Sequence, residues 1–229
     1  INCAAYTAVD QAEDEPTMAH QLNAVAIESL CQLSKTFGFK PIHFSTDYVF
    51  DGTASKPYKE SDPINPIGVY GQTKAEGEAV MRSAGIDGWI IRTSWLFSPY
   101  GKNFVKNIFS LLQNKAEINV VADQTGSPTY ALDLAAATLK GLDQNPLFNG
   151  VKVYHLTNSG HTTWYGLATA IQKQINTHCK IHPVDTAAYP TKAQRPKYSV
   201  LSCEKIKKEF NLNLEPWESA LKDCLKKIK

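Results

Sequence analysis

The stretch Pro41-Ile42-His43-Phe44-Ser45-Thr46-Asp47 decides the fold class of this chain. Its apolar part predicts a short buried strand over Pro41–Ser45, followed at once by a hydroxyl and a carboxylate. Residues 51–68 combine glycine, serine, lysine and proline, which predicts a surface loop. A helical pattern over 69–84 and an apolar strand at Trp89–Arg92 come next. Strand, loop, helix and strand in this order predict an α/β fold with a parallel sheet.

The segments on either side of this core extend the pattern. Ile1–Ala5 is typical of the apolar end of a strand, and about Ala12 to Phe37 is predicted to form one helix that Gly38 ends. Beyond Ser98 the order is less regular, which predicts a smaller α/β lobe beside the sheet. Its predicted helices are 104–113, 130–140, 164–177, 203–210 and 216–228, and its predicted strands are 151–156 and 181–184.

Composition disfavours several function classes. Hydrophobic residues make up 43% of the 229, which is enough for a substantial core and too many for a disordered chain. The 24 basic and 22 acidic residues are interspersed, so the net charge of +2 gives no argument for a nucleic-acid or membrane partner. No apolar run approaches the roughly 20 residues of a membrane helix. Five dispersed cysteines without a metal-binding spacing predict reduced thiols in the cytoplasm.

Tyr70 and Lys74 are the strongest candidates for chemistry. Their spacing of four places a phenol and an ammonium on one face of the predicted helix, where the cation is expected to lower the tyrosine pKa from about 10. Such a phenol can exchange a proton with a substrate oxygen. One such pair is expected by chance in this composition, so a solvated surface pair is the alternative interpretation.

The position of this pair favours the chemical interpretation. Thr46 and Asp47 follow the first strand, at the carboxyl end where open α/β sheets bind ligands. The Thr46 hydroxyl could therefore bind the same oxygen that Tyr70 protonates. Strand, hydroxyl, loop, then tyrosine and lysine on a helix is the order of the short-chain dehydrogenase/reductase family.

The chain resembles the extended branch of that family, and within it the dTDP-4-dehydrorhamnose reductases. Six groups of segments carry the resemblance, occur in family order and together span nearly all of the chain. They are Asn2-Cys3-Ala4-Ala5-Tyr6-Thr7-Ala8-Val9-Asp10, Ser45-Thr46-Asp47-Tyr48-Val49-Phe50, Val69-Tyr70-Gly71-Gln72-Thr73-Lys74, Arg92-Thr93-Ser94-Trp95, Asp123-Gln124-Thr125-Gly126-Ser127-Pro128-Thr129, and Tyr189-Pro190-Thr191 with Arg195-Pro196.

The resemblance implies a Rossmann-like parallel sheet and a role for each matching residue. Residues 1–98 correspond to a partial dinucleotide-binding domain, and 99–229 mainly to a substrate-binding lobe with some segments returning to the sheet. Tyr70 is implied as the general acid, Lys74 as the group that tunes it and holds the nicotinamide ribose, and Thr46 as the assisting hydroxyl. The cofactor edge is implied to comprise Ala4, Ala5, Tyr6, Ser45, Tyr70 and Lys74.

The substrate side is implied to use Thr46, Asp47, Trp95 and Arg195. Asp47 would reach the sugar, Trp95 would stack on it, and the planar Arg195 guanidinium would suit a diphosphate. The alternative readings are a turn or cap for Asp47, a core aromatic for Trp95 and a loop anchor for Arg195. Asn23 is a candidate for ordering water near Lys74, and His43 is interpreted as a buried core imidazole.

One family feature has no counterpart in this sequence. None of the 13 glycines forms the Gly-rich turn that binds the dinucleotide pyrophosphate, and the resemblance begins partway through the fold. We expect that about sixty residues with two or three strands precede the matching part. The chain alone is then expected to bind NADPH poorly and to associate or rearrange through the exposed sheet edge.

The predicted reaction is the NADPH-dependent reduction of C4 in a dTDP-linked 4-keto-6-deoxy sugar to give dTDP-L-rhamnose, with NADH as the other cofactor option. Some relatives form homodimers associated with Mg²⁺, but no acidic cluster in the sequence places an ion. Two alternatives stay open. One is a non-catalytic regulatory subunit like that of methionine adenosyltransferase. The other is a nucleotide-sugar epimerase or dehydratase, although Tyr48 stands where a dehydratase needs a glutamate.

Overall fold

The computed structural model describes residues 1–144 and 148–228. Its strands are short and distributed along the whole chain. In order they are β1 (Ile42–Thr46), β2 (Gly88–Thr93), β3 (Leu96–Phe97), β4 (Glu117–Val121), β5 (Thr125–Gly126), β6 (Thr129–Tyr130), β7 (Val151–His155), β8 (Thr162–Thr163) and β9 (Lys180–Val184).

The helices alternate with these strands as predicted for an α/β protein. They are α1 (Val9–Ala12), α2 (Pro16–His20), α3 (Ala26–Phe37), α4 (Val69–Ser83), α5 (Phe104–Asn114), α6 (Ala131–Asp143), α7 (Trp164–Ile175), α8 (Glu204–Phe210) and α9 (Trp217–Leu225). A wide helical turn at Gln21–Val25 joins α2 to α3, and one 3₁₀ turn at Asp47–Val49 follows β1.

A parallel sheet in the order β1-β2-β7 lies at the centre and confirms the predicted fold class. Its register places Ser45 beside Arg92 and Thr46 beside Thr93. Asn2 pairs with His43 in an isolated parallel bridge on the other side of β1, so the strand end expected over Ile1–Ala5 is reduced to one residue. Apolar side chains cover the sheet on both faces, one layer containing Trp89 and Ile91 and the other Ile90.

The second half forms its own core and also contributes strand β7 to the central sheet. Its buried apolar cluster joins α5, α7 and α9. Strand β4, which the sequence pattern does not predict, pairs in parallel with β9. Only a few residues separate α5 from the Asp123–Thr129 segment, and so short an apolar run gives no usable periodicity.

The single helix expected over residues 12–37 is wrong in its first half. The structure breaks it into α1, α2, the wide turn Gln21–Val25 and α3. Pro16 begins α2, because its ring has no N–H to donate to the preceding turn. The wide turn contains the buried Asn23, whose backbone oxygen lies where a Cβ on Gly77 of α4 would be 2.0 Å away. The two helical segments therefore pack closely only because residue 77 is glycine.

The structure also bears on membrane-spanning helices, disulfides and metal-binding clusters. Within the described part of the chain, no helix is long and apolar enough to cross a membrane. All five cysteines are free thiols. In residues 1–144 and 148–228 we find no group of three or more His, Cys, Asp or Glu side chains arranged to hold a metal ion.

Candidate active site

Helix α4 presents Tyr70, Lys74 and Glu78 at successive turns, next to the carboxyl end of β1. Its first turn is fixed by Glu13, whose carboxylate accepts a 2.9 Å hydrogen bond from the Val69 N–H. Gly71 lies against the turn that follows β1, because a Cβ there would be 2.1 Å from the Tyr48 carbonyl oxygen. The start of α4 is thus pressed onto Thr46, Asp47 and Tyr48.

The Tyr70 phenol lies close enough to the Thr46 hydroxyl for that hydroxyl to act on its pKa. Burial raises the pKa of Tyr70 to about 12, the nearby Asp47 raises it further, and the Thr46 hydroxyl lowers it. The expectation that Lys74 would lower this pKa is not supported, because the ammonium turns to other partners. Tyr70 is accordingly protonated at neutral pH and can donate this proton to a substrate oxygen.

Lys74 is buried beneath the site, with 1% of its surface exposed. Its ammonium donates a 2.6 Å hydrogen bond to the Phe44 carbonyl oxygen and lies 3.2 Å from Nε2 of His43. Burial lowers the pKa of Lys74 to about 8, and Glu78 raises it. Since an ammonium has three donors, one remains for a ligand.

His43 is buried in β1, as interpreted from the sequence, but it also contacts Lys74. Burial, followed by the charge of Lys74, lowers the pKa of His43 to about 3, so the ring is neutral at physiological pH. Its other nitrogen, Nδ1, lies 3.1 Å from Nδ2 of Asn2. The imidazole therefore positions the lysine and does not carry a proton to substrate.

Asp47 is a buried carboxylate with an unused oxygen. Oδ1 accepts a hydrogen bond from the Thr46 hydroxyl at 3.1 Å, whereas Oδ2 is buried and has no hydrogen-bond partner among residues 1–144 and 148–228. Burial raises the pKa of Asp47 to about 6, partly offset by the Ser199 and Thr46 hydroxyls. A buried polar atom without a partner in a folded protein requires an explanation, and a missing ligand is one.

Ala4, Ala5 and Tyr6 follow the Asn2–His43 bridge and lie at the edge predicted for the cofactor. Asn23 fixes this segment: its Oδ1 accepts from the Tyr6 N–H at 2.9 Å, and its Nδ2 donates to the Tyr6 carbonyl oxygen at 3.1 Å. The same amide donates to Thr73 of α4 at 3.1 Å. Asn23 thereby ties the edge segment to the catalytic helix, and its role in ordering water stays a prediction.

Ser45 does not present its side chain to the predicted cofactor edge. Its hydroxyl donates a 2.6 Å hydrogen bond to Glu78 inside the protein. Successive side chains of a strand point to opposite faces, so Ser45 and Thr46 cannot both face the site. Ser45 could therefore contact a cofactor only through its backbone atoms.

Trp95 lies beside the site in a strained backbone conformation, with φ of 47°. Its ring stacks on Trp164 at 3.4 Å between centroids, and Gly126 leaves room for it, since a Cβ there would be 2.4 Å from the indole. The predicted stacking on a sugar stays a prediction, because one face of the ring is already covered. Trp164, which no sequence pattern singles out, extends from this stacked pair to the lining of a cavity.

Arg195 behaves as the loop anchor that was its alternative interpretation. Its two terminal nitrogens donate to Asp10 at 3.0 and 2.8 Å, and the Ala193 N–H donates to the same carboxylate at 3.1 Å. This ion pair holds the 189–196 loop against the N-terminal segment. A bidentate contact with a diphosphate, which stays a prediction, has to compete with Asp10.

A cavity of about 380 Å³ lies next to Tyr48, the residue that follows Asp47. Its wall begins at Tyr48 and Arg195 and continues along α5, β4 and Trp164. Gln124 orients that indole, accepting from its Nε1–H at 3.1 Å. Tyr48 meets Tyr70 edge-on at 5.5 Å between ring centroids. Gln124 and Tyr48 lie in segments that the sequence analysis quotes, but their roles depend on packing that no motif shows.

Comparison with known proteins agrees with this geometry. Residues 1–229 match a family described as the RmlD substrate binding domain. The chain is 40% identical over 225 residues to the spore coat polysaccharide biosynthesis protein SpsK of Bacillus subtilis, covering 98% of this chain and 77% of that protein. It is 39% identical over 227 residues to a dTDP-4-dehydrorhamnose reductase of Sinorhizobium fredii, covering 96% and 77%.

A solved structure gives the same result at the level of the fold. The dTDP-4-dehydrorhamnose reductase of Bacillus anthracis, determined in complex with NADP, is 37% identical, with a TM-score of 0.92 over 97% of this chain and 78% of that one. The family resemblance stated from the six groups of segments is confirmed. With its tyrosine, lysine and threonine gathered at the end of a parallel sheet, this chain belongs to the RmlD substrate binding domain family.

Proposed function

We propose that this protein is a reductase of the dTDP-4-dehydrorhamnose type, which forms dTDP-L-rhamnose by reducing the C4 ketone of a dTDP-linked deoxysugar. The observation that carries the proposal is the cluster of Thr46, Asp47 and Tyr70, which combines a protonated phenol with a buried carboxylate oxygen that has no hydrogen-bond partner in the described part of the chain. Reducing a ketone needs a proton donor for the oxygen. Binding a sugar needs an acceptor for a hydroxyl. The cluster offers both.

Each residue has a separate task in this mechanism. The Thr46 hydroxyl contacts the phenol and can hold the ketone oxygen with it. As C4 is reduced, Tyr70 gives its proton to the developing alkoxide, and the phenolate formed is stabilised by the Thr46 hydroxyl. Asp47 accepts a hydrogen bond from a sugar hydroxyl and so fixes which face of C4 is turned toward the edge segment.

The residues at the edge fit a nicotinamide nucleotide. Lys74 has a third N–H beyond its bonds to Phe44 and His43, and a ribose has two hydroxyls that can accept from such a donor. The Ala4–Tyr6 segment, fixed by Asn23, would lie along the same nucleotide. The chemistry supplied by such a bound cofactor, here NADPH with NADH as the second option, is a hydride for C4.

The cavity suits the nucleotide end of the substrate. Trp164 and Phe104 give it flat apolar walls, and a nucleobase binds by stacking on such surfaces. Tyr48 and Arg195 line this cavity, and Tyr48 packs against Tyr70, so the diphosphate would pass along them. Tyr48 is also the residue that disfavours a dehydratase, because burial raises the pKa of its phenol and prevents it from acting as a base.

The location and assembly that we propose follow from the same activity. Free cysteines and a nucleotide-sugar substrate fit the reducing cytoplasm. A homodimer, with or without Mg²⁺, stays an expectation, as do the absence of nucleic-acid and membrane partners and the poor NADPH binding of residues 1–229 alone.

The direct test is an assay of the complete protein as the cell makes it. With dTDP-4-keto-6-deoxy-L-mannose, we expect NADPH oxidation at 340 nm in proportion to enzyme, and dTDP-L-rhamnose as the product by mass and NMR. Running residues 1–229 beside it tests the expectation of poor cofactor binding. An inactive complete protein that copurifies with a stoichiometric foreign subunit would favour the regulatory alternative instead.

Asp47→Asn tests the sugar contact. Replacing the Oδ2 acceptor by an N–H donor should lower kcat/KM about 10- to 150-fold, the range of one hydrogen bond to a charged group. Because the pKa of Asp47 is raised to about 6, wild-type kcat/KM should rise as pH increases through that value, and the variant should lack this step. Asp62→Asn, which alters only the cap on the Lys59 N–H, is the control. An unchanged pH profile in Asp47→Asn would remove Asp47 from the site.

A further inference from the structure

A buried charge network lies under the catalytic helix and is not used in the mechanism above. Glu78 and Arg92 have side chains that are each 1% exposed, and they pair in a bidentate manner. Arg92 Nε donates to Glu78 Oε1 at 2.8 Å, and Nη2 donates to Oε2 at 2.6 Å. The Ser45 hydroxyl adds a third bond to Oε1 at 2.6 Å. The carboxylate is therefore held from two neighbouring strands and cannot rotate.

The network meets the site at Lys74. Glu78 follows Lys74 by four residues, which places the two side chains on the same face of α4. Burial removes the Lys74 ammonium from water. Its two partners, the Phe44 carbonyl and the His43 ring, are neutral and do not compensate its charge. Glu78 supplies the compensating negative charge, and the pKa of Lys74 is raised by it.

The remaining groups around the network do not replace Glu78. On α4 Tyr70 precedes Lys74 by four residues, and its phenol is protonated. From β1 His43 is neutral, and from β7 His155, 3.4 Å from Arg92, is also neutral because burial lowers its pKa to about 3. Arg92 from β2 adds positive charge. Without Glu78 two buried cations would remain.

We propose that Glu78, fixed by Arg92 and Ser45, is a positioning residue that keeps the buried Lys74 charged, so that its third N–H can serve the cofactor. This inference rests on the proposed function for its catalytic meaning. The electrostatic coupling itself does not. A purely structural ion pair is the competing explanation, since buried pairs are often replaceable by apolar residues without loss of stability. The two explanations differ in what happens to Lys74.

The test measures the titration of Lys74 directly. Complete protein carrying ¹³Cε-labelled lysine is titrated by NMR without cofactor or substrate, and the Lys74 signal is identified by its loss in Lys74→Arg. In wild type we expect a midpoint near pH 8, far below the ~10.4 of surface lysines. Glu78→Gln should lower the midpoint by about one unit or more. Glu78→Asp keeps a charge for Arg92, folds more readily, and should give a smaller shift of the same sign.

Glu76→Gln is the matched control on the same helix. Glu76 is half exposed and pairs with His20, so its loss should leave the Lys74 midpoint unchanged. In the reductase assay, the alkaline fall of kcat/KM should move to lower pH with the NMR midpoint. If Glu78→Asp and any folded Glu78→Gln titrate like wild type, the proposal is wrong and the pair is structural. A shifted midpoint in a protein without reductase activity would instead overturn only the proposed function.

Discussion

Tyr70→Phe is expected to lower turnover of the complete protein about 100- to 10,000-fold, because it removes the proton donor and leaves the ring in place. The phenol has a pKa raised to about 12, so its proton is available throughout the neutral range. The variant should bind the sugar nucleotide within a few-fold of wild type. Steady-state rates and calorimetry of the substrate analogue measure the two quantities separately.

Tyr154→Phe controls for the loss of a phenol elsewhere. The hydroxyl of Tyr154, which lies in β7, donates a 2.6 Å hydrogen bond to Glu209 of α8, away from the cluster. Its removal should reduce stability by about 1 kcal/mol and leave turnover unchanged. If Tyr70→Phe retains wild-type turnover, the acid is another group, and Lys74 or a water would have to take that role.

The pH profile gives a second consequence of the same geometry. Tyr70 does not titrate below about pH 12, so an alkaline fall in activity near pH 8 should report Lys74. A lysine whose folded-state pKa is lowered loses its charge as pH rises through that value. The sequence analysis expected instead that Lys74 would lower the pKa of Tyr70. Desolvation dominates both pKa values, and the Lys74 ammonium donates to the Phe44 carbonyl and lies beside His43.

Much of the fold and the identity of the reacting groups could be predicted from sequence. Strands β1 and β2 and helix α4 have strong periodicity, and the order hydroxyl, tyrosine, lysine is a motif. The breaks in the 12–37 helix could not be predicted, since they depend on how Asn23 meets Gly77 in space. The same holds for Ser45, whose assignment to the cofactor edge required knowing the face on which Glu78 lies.

Residues 145–147 and 229 lie outside the described part of the structure. The last predicted helix, 216–228, ends earlier than expected, since α9 spans Trp217–Leu225. Arg195 and Trp95 show a different limit of sequence reasoning. Both residue types suit the ligand chemistry that the resemblance implies. Their partners, Asp10 and Trp164, are distant in sequence, so only the structure shows that each already has an interaction within the protein.

Gly71→Ala is expected to destabilise the protein by about 3 kcal/mol, measured as the change in free energy of unfolding in urea. The added Cβ would lie 2.1 Å from the Tyr48 carbonyl oxygen and 3.1 Å from Pro66. A backbone oxygen cannot move aside as a flexible side chain can. The gain in helix propensity from glycine to alanine, about 1 kcal/mol, is too small to offset the clash.

Gly141→Ala separates this clash from the general effect of an alanine in a helix. Residue 141 lies in α6, and the nearest atoms to its Cβ would be side-chain atoms of Leu212 and Trp89 at 3.3 Å, which can adjust. Its stability should change by less than about 1 kcal/mol in either direction. A Gly71→Ala protein as stable as Gly141→Ala would show that the turn after β1 can move away from α4.

The activity of Gly71→Ala should fall further than its stability explains. Gly71 adjoins Tyr70, and the clash displaces α4 from the turn that carries Thr46 and Asp47. A displacement of about 1 Å at a reacting group can lower a rate about 100-fold even when every side chain is retained. Under conditions where the variant is fully folded, we therefore expect kcat to fall by about that factor. Wild-type kcat in the folded variant would show that proton transfer tolerates a looser contact between Tyr70 and Thr46 than the structure indicates.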